Sequence, residues 1–171
     1  MEFSGDFYTL TGARAGSYNG HNMNLEGDFM IGHSILGRGE GVFHCLRLHR
    51  GADLMGSIKE LCREKGIEAG VVLSGVGCIS RGRVRDASGV NIREIEEHCE
   101  IVSLNGTVSQ TRCHVHIALS KEDLSTIGGH LCPGCIVNTT CELVIVQIPG
   151  VRYDVEFDEE TGYDELIFQN T

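Results

Sequence analysis

The chain has 171 residues, 41% of them apolar, with no Trp, 23 Gly and 2 Pro, which fits one domain whose core rests on aliphatic side chains. Lys and Arg number 14 against 24 Asp and Glu, a formal charge of −10. A surface this acidic repels phosphate backbones and argues against direct nucleic-acid binding, which normally needs a clustered basic footprint. No run reaches the roughly 18 apolar residues of a membrane helix, and the opening MEFSGDFYTLTGARAG has neither the basic nor the apolar region of a secretory signal. A cytoplasmic protein without membrane contact is therefore expected, its eight Cys being reduced thiols that pack as small hydrophobes.

Residues 1–41 carry Gly, Asn, Ser and His without a sustained period and read as an N-terminal extension, an arm ordered at most in part. From Val42 the pattern sharpens. VFHCLRLH alternates apolar and polar positions and reads as a strand that Gly51 ends. ADLMGSIKELCREKG sets Leu54, Ile58, Leu61 and Cys62 at helical spacing, with Asp53 near the start, Lys65 in the last turn and Gly66 as the stop. EAGVVLSGVGCIS is a β-branched strand that RGRVRDASG extends past a kink. NIREIEEHCEIVSLNGTVS reads as a long edge pair, CHVHIALS as a strictly alternating strand, and KEDLSTIGG as a turn-like connection. HLCPGCIVNTT and CELVIVQI follow, then a final strand near VRYDVEF. The acids gathered at the end, Asp154 to Glu165, suggest a solvated tail over 161–171. One helix and about seven strands imply an antiparallel α+β domain over 42–160.

The candidate chemistry lies in the alternating strand. His114 and His116 flank Val115, so their side chains share one face about 6.6 Å apart and can converge on one ion at roughly 2.0–2.1 Å each. His130 follows Gly128-Gly129, and two glycines let a backbone bend or approach another strand closely. A third imidazole on that face completes a His₃ site for one divalent metal per chain. Imidazole suits Zn, Cu, Ni or Fe, with availability favouring zinc, and three ligands leave one position open. Glu142, in a strand with apolar neighbours, is the carboxylate placed nearest such a site, as base or as partner of a ligating group.

Other motifs carry less. Cys132-Pro-Gly-Cys135 has no second CxxC and precedes a β-branched run, so it reads as a Pro-Gly turn flanked by buried thiols rather than as structural zinc or a redox pair. Arg81-Gly82-Arg83 has the heart of an AT-hook, but Val84 stands where Pro is needed and the segment reads as strand. His21, His33, His44, His49 and His98 show no ligand spacing and read as surface or structural residues.

The run CHVHIALSKEDLSTIGGHLCPGCIVNTTCELVIVQIPG resembles the hallmark segment of the PPC (plants and prokaryotes conserved) domain. HCLRLHRGADLMGSIKELCREKGIEAGVVLSGVGCISRGRV resembles its opening, and the likeness covers about residues 42–158. The resemblance implies a curled, mainly antiparallel sheet packed on a single helix, assembled as a homotrimer. Prokaryotic relatives with His-x-His and Gly-Gly-His can hold a metal there, a role that His114, His116 and His130 inherit by direct match. Plant relatives join the domain to AT-hooks and act as nuclear, DNA-associated regulators; this chain lacks the AT-hook. A trimer also makes physical sense, because cyclic assembly covers the apolar strands and edges of a small curled sheet.

The sequence thus points to a metal-binding homotrimer with a regulatory or assembly role. Two alternatives stand beside it: a zinc-dependent hydrolase or lyase acting on a small molecule held near the ion, and a DNA-associated regulator by family analogy.

Overall fold

Alternation from Val42 onward is satisfied by a curled sheet, seen in a computed structural model that describes residues 40–171. The arm expected over 1–41 lies outside these residues up to position 39. The strands are β1 (Val42–His49), β2 (Gly70–Arg85), β3 (Ile92–Ile95), β4 (Cys99–Val108), β5 (Cys113–Ser120), β6 (Thr126–Leu131), β7 (Ile136–Gln147), β8 (Val151–Asp158) and β9 (Tyr163–Asn170), with one helix, α1 (Leu54–Glu64).

Seven strands form one sheet in the order β1-β7-β2-β4-β5-β6, with β3 added beside β2, and every pairing is antiparallel. The far end of β2 also pairs with β6, through Val84 opposite Leu131 and Arg85 opposite His130. β2, β4, β5 and β6 therefore curl until the last meets the first. The 16-residue β2 manages this through register shifts against β7 at Val72/Ser74, Gly77/Ile79 and Ile79/Arg81, irregularities that bend and twist a strand. At Gly77 (φ +148°) a Cβ would lie 2.1 Å from the Thr140 carbonyl oxygen, so only glycine fits this close approach.

The core gathers on one face of the sheet. Leu54, Met55, Ile58 and Cys62 form the buried stripe of α1. They join one cluster with Leu104 and Val108 of β4, Val115, Ile117 and Leu119 of β5, and Leu143 and Ile145 of β7. Asp53 starts the helix as read: its Oδ1 accepts the Gly56 N–H at 2.7 Å. Its Oδ2 accepts the Gly134 N–H at 2.5 Å, and the Leu54 N–H donates to the Cys135 carbonyl at 2.9 Å. One carboxylate thus ties the helix start to the Pro133-Gly134 turn. Cys132 and Cys135 are buried beside that turn, and all eight cysteines are free. Burial, above all, pushes the Cys135 thiol up to about 11, so it packs as a hydrophobe rather than reacting.

Three expectations change. The long edge pair splits: β3 pairs only β2, while β4 lies inside the sheet between β2 and β5, because its buried positions Cys99, Ile101, Leu104 and Val108 need a covered face. The turn after β5 is shorter than KEDLSTIGG. It closes at Lys121 N–H to Ser125 carbonyl, and Gly128-Gly129 lie within β6. The acidic segment over 161–171 contains β9, paired along β8 from Val151/Asn170 to Asp158/Tyr163. Its acids Asp164 and Glu165 precede the apolar run Leu166-Ile167-Phe168, and Phe168 meets the buried Tyr153 edge-on at 5.5 Å. No helix among the described residues is long and apolar enough to cross a membrane.

The double duty of Asp53 is testable by urea denaturation. Asp53→Ala should lower the unfolding free energy by about 2 kcal/mol, the sum of a lost cap and a lost charge-assisted hydrogen bond, and Asp53→Asn by about half of that.

Candidate metal centre

Val115, Ile117 and Leu119 of β5 point into the core, so alternation turns His114 and His116 to the opposite face. β6 runs antiparallel beside it with His130 directly across from His116 and Gly129 across from Ile117. Directly opposed residues share a face, and all three imidazoles meet. Their ring centroids lie 5.2 Å (His114–His116), 5.2 Å (His114–His130) and 5.7 Å (His116–His130) apart. One nitrogen of each lies within 4.8 Å of the others, the only such His, Cys or carboxylate cluster among the described residues. Tetrahedral zinc with bonds near 2.05 Å asks for about 3.4 Å between ligand nitrogens, a difference that small rotations of each side chain close.

The glycines have a sharper role than a bend. A Cβ at Gly128 would lie 2.3 Å from the Ile117 carbonyl oxygen, and one at Gly129 would lie 2.4 Å from that of Arg85. Both residues must be bare for β6 to fit between β5 and β2, and that fit carries His130 to its partners.

Burial and charge act on two of the three rings. Burial first, then the charge of Arg85 and the neighbouring His114, His116 and Arg112, push the His130 imidazolium down to about 4. Burial, Arg112, His116 and Arg85 lower His114 as well, with Glu165 opposing them. Both rings are uncharged near neutrality and offer lone pairs, as metal ligation requires. Nδ1 of His130 is buried without a hydrogen-bond partner. An orphaned imidazole nitrogen beside two other imidazoles is a donor set that fits a divalent transition ion.

Two arginines flank the histidines. Arg85 stands across from His130 and donates through Nη1 to the Gly89 carbonyl at 3.2 Å. Arg112, two residues before His114, places Nη2 3.3 Å from His114 Nδ1. The Nε atoms of both are buried and unpartnered. These groups form one wall of a cavity of about 380 Å³, which Tyr163, Asp164 and Glu165 of β9 complete.

Glu142 lies elsewhere. It is exposed on β7, across from Arg47 on β1 and Val76 on β2, and takes no part in lining the histidine cavity. Its apolar neighbours Cys141 and Leu143 are buried on the opposite face, so they do not enclose the carboxylate. Glu165 is the carboxylate whose charge reaches His114. Arg83 is ion-paired with Glu94 at 2.8 Å within the sheet, which leaves Arg81-Gly82-Arg83 a strand segment, as read. His44 contacts Gln147 at 3.2 Å, and His21 and His33 lie outside the described residues. Sequence reading passed over Arg112, Arg85 and Glu165. Arg112 was within reach, since Arg-x-His-x-His puts all three on one face. The other two arrive through distant pairings that no local spacing records.

The sequence profile of the Plants and Prokaryotes Conserved (PCC) domain matches residues 37–149. A bifunctional protein GlmU from Synechococcus is 37% identical over 124 residues, 72% of this chain and 20% of that protein; the chain spans about a fifth of the length of the curated relatives it matches. A hypothetical protein from Salmonella shares the fold at a TM-score of 0.76 and 29% identity, over 78% of this chain and 97% of that one. A metal-containing protein from Archaeoglobus fulgidus does so at 0.66 and 30%, over 79% and 99%.

The bare-backbone requirement at β6 gives a direct test. Gly129→Ala should force β6 off β2 and raise hydrogen exchange at the Cys132 amide, which donates to the Arg83 carbonyl at 3.0 Å. A rise of about tenfold or more is expected there, with the β1–β7 amides unchanged.

Proposed function

The chain belongs to the Plants and Prokaryotes Conserved (PCC) domain family, and on that premise we propose that it is a homotrimeric protein holding one zinc ion per chain on His114, His116 and His130. The observation that carries this reading is the convergence of three imidazoles, one with an orphaned buried nitrogen. The Archaeoglobus relative's description as metal-containing supports it.

Three protein ligands differ from the four that close a structural zinc site. The fourth position of such an ion would belong to a ligand from the adjoining cavity. That cavity favours a second reading, a hydrolase or lyase acting on a small molecule. A zinc ion bound there supplies a Lewis acid and an activated water. The chain's own contribution is to keep His114 and His130 uncharged, to aim them with the β5–β6 register, and to place Glu165 where it can accept a proton. Glu142 has no part in this reading.

The trimer is supported by the sheet face opposite the core. Phe43, Val146 and Val71 stand in one row across β1, β7 and β2. Leu73 and Val76 follow along β2, exposed at 58% and 59%. An apolar face of this kind marks an association surface, and a cyclic trimer of identical chains covers it without leaving an open edge. The charge of −10 weighs against a nucleic-acid partner.

Elemental analysis of the purified chain should find about one zinc per chain in the wild type and none in His116→Ala. A wild type without metal even after zinc is added back would falsify the site. Light scattering should give the mass of three chains, and the double variant Leu73→Glu, Val76→Glu should give that of one; a monomeric wild type removes the trimer from the reading.

A further inference from the structure

We propose that the cavity beside the histidines is a binding site for a small oxyanion, a carboxylate- or phosphate-bearing molecule gripped by the guanidinium groups of Arg85 and Arg112. This deepens the metal reading above and rests on it.

The first ground is unspent hydrogen-bonding capacity. A guanidinium offers five N–H donors and never loses its charge. Arg85 spends one on Gly89 and Arg112 one on His114, while both Nε groups are buried without a partner. Neither arginine has an ion pair among the described residues; the pairs there engage Arg63, Arg83, Arg93, Lys121 and Arg152. Buried unpaired donors are costly, and a planar fork beside an open cavity is the geometry that carboxylate and phosphate oxygens satisfy in pairs. At about 380 Å³ the space falls at the lower end of the roughly 300–1,000 Å³ of small-molecule sites.

The second ground couples the anion to the ion. Arg112 can only donate, so Nδ1 of His114 accepts in this contact, and the neutral ring carries its proton on Nε2. An ion taken up at Nδ1 competes with Arg112 for the same lone pair. An ion taken up at Nε2 leaves the proton on Nδ1, where it faces another donor. Either way the contact breaks, and Arg112 is released to the cavity as positive charge arrives beside it.

The opposite wall sets the ligand's orientation. Asp164 and Glu165 repel an anion on their side, so its charged end turns to the arginines and any hydroxyl or ammonium group turns to β9. These residues lie beyond the 37–149 family match, which makes the C-terminal hairpin the part of this chain that selects among oxyanions.

The test is calorimetric titration of the full-length chain, zinc-loaded and zinc-free, with inorganic phosphate and with malonate. The zinc-loaded protein should bind at least one probe, and the probe that binds tells phosphate from carboxylate chemistry. Arg85→Gln and Arg112→Gln should each weaken binding by about tenfold or more, with zinc content unchanged. Arg112→Lys, which keeps the charge but not the fork, should fall between. The zinc-free protein should bind more weakly than the loaded one. Equal binding by wild type and both Gln variants at equal zinc content would show an anion that merely ligates the ion and would overturn the proposal. So would no binding of either probe up to about 10 mM. Arginine-dependent binding by a protein that takes up no zinc would overturn the metal reading alone and leave the anion site standing.

Discussion

The short pairing of β2 with β6 is the constraint on which the rest of this structure depends. Only two residue pairs make it, Val84/Leu131 and Arg85/His130, yet they close the curl and bring a β2 cation beside a β6 imidazole. The closure requires one strand to approach two others within the distance a side chain occupies. Gly128 and Gly129 meet that requirement on the β5 and β2 sides respectively. The same glycines that complete the sheet therefore complete the histidine cluster, so fold and site share one steric condition.

Alternation does the remaining division of labour. Along β5 the odd positions Val115, Ile117 and Leu119 fill the core against α1 and β4, while His114 and His116 fall on the other face and Arg112 just precedes the strand. The histidines need no loop to hold them, since the hydrophobic packing of their neighbours fixes the strand and hence their direction. A site on rigid strands keeps its geometry more closely than one on loops. The nearby turns, Lys121–Ser125 and the CxxC turn, contribute no ligand.

Much of this was legible in the sequence because it is local. His-x-His on an alternating strand, the Asp53 cap and the helical stripe are each written within a few residues, and β2 within one continuous run that extends past a kink. The Gly128-Gly129 pair pointed to His130 as the third member, and the family resemblance matched it. What could not be read is set by long-range pairing. Glu142 looked enclosed because Cys141 and Leu143 are apolar, but neighbours in a strand face away from each other, and the carboxylate lies in the open on β7. Arg85 lies 45 positions before His130 in the chain and meets it only through the closing pair. β9 was hidden by its own charge: acids set between apolar residues read as a tail until β8 supplied a partner strand.

Charge balance ties these elements together. The cavity wall carries two guanidinium groups beside His114 and His130, both held neutral in part by those very cations. A divalent ion arriving there is repelled by Arg85 and Arg112 and attracted by Asp164 and Glu165, so the chain alone leaves the loaded site with excess positive charge. In a partly desolvated cavity such an excess is worth several times its cost in water. An anionic ligand removes it at one stroke, satisfying the orphaned guanidinium donors and the open coordination position together. On the proposed reading the arrangement is incomplete with the ion alone and complete with the ion and an oxyanion, and the two binding events should be mutually favourable by thermodynamic linkage.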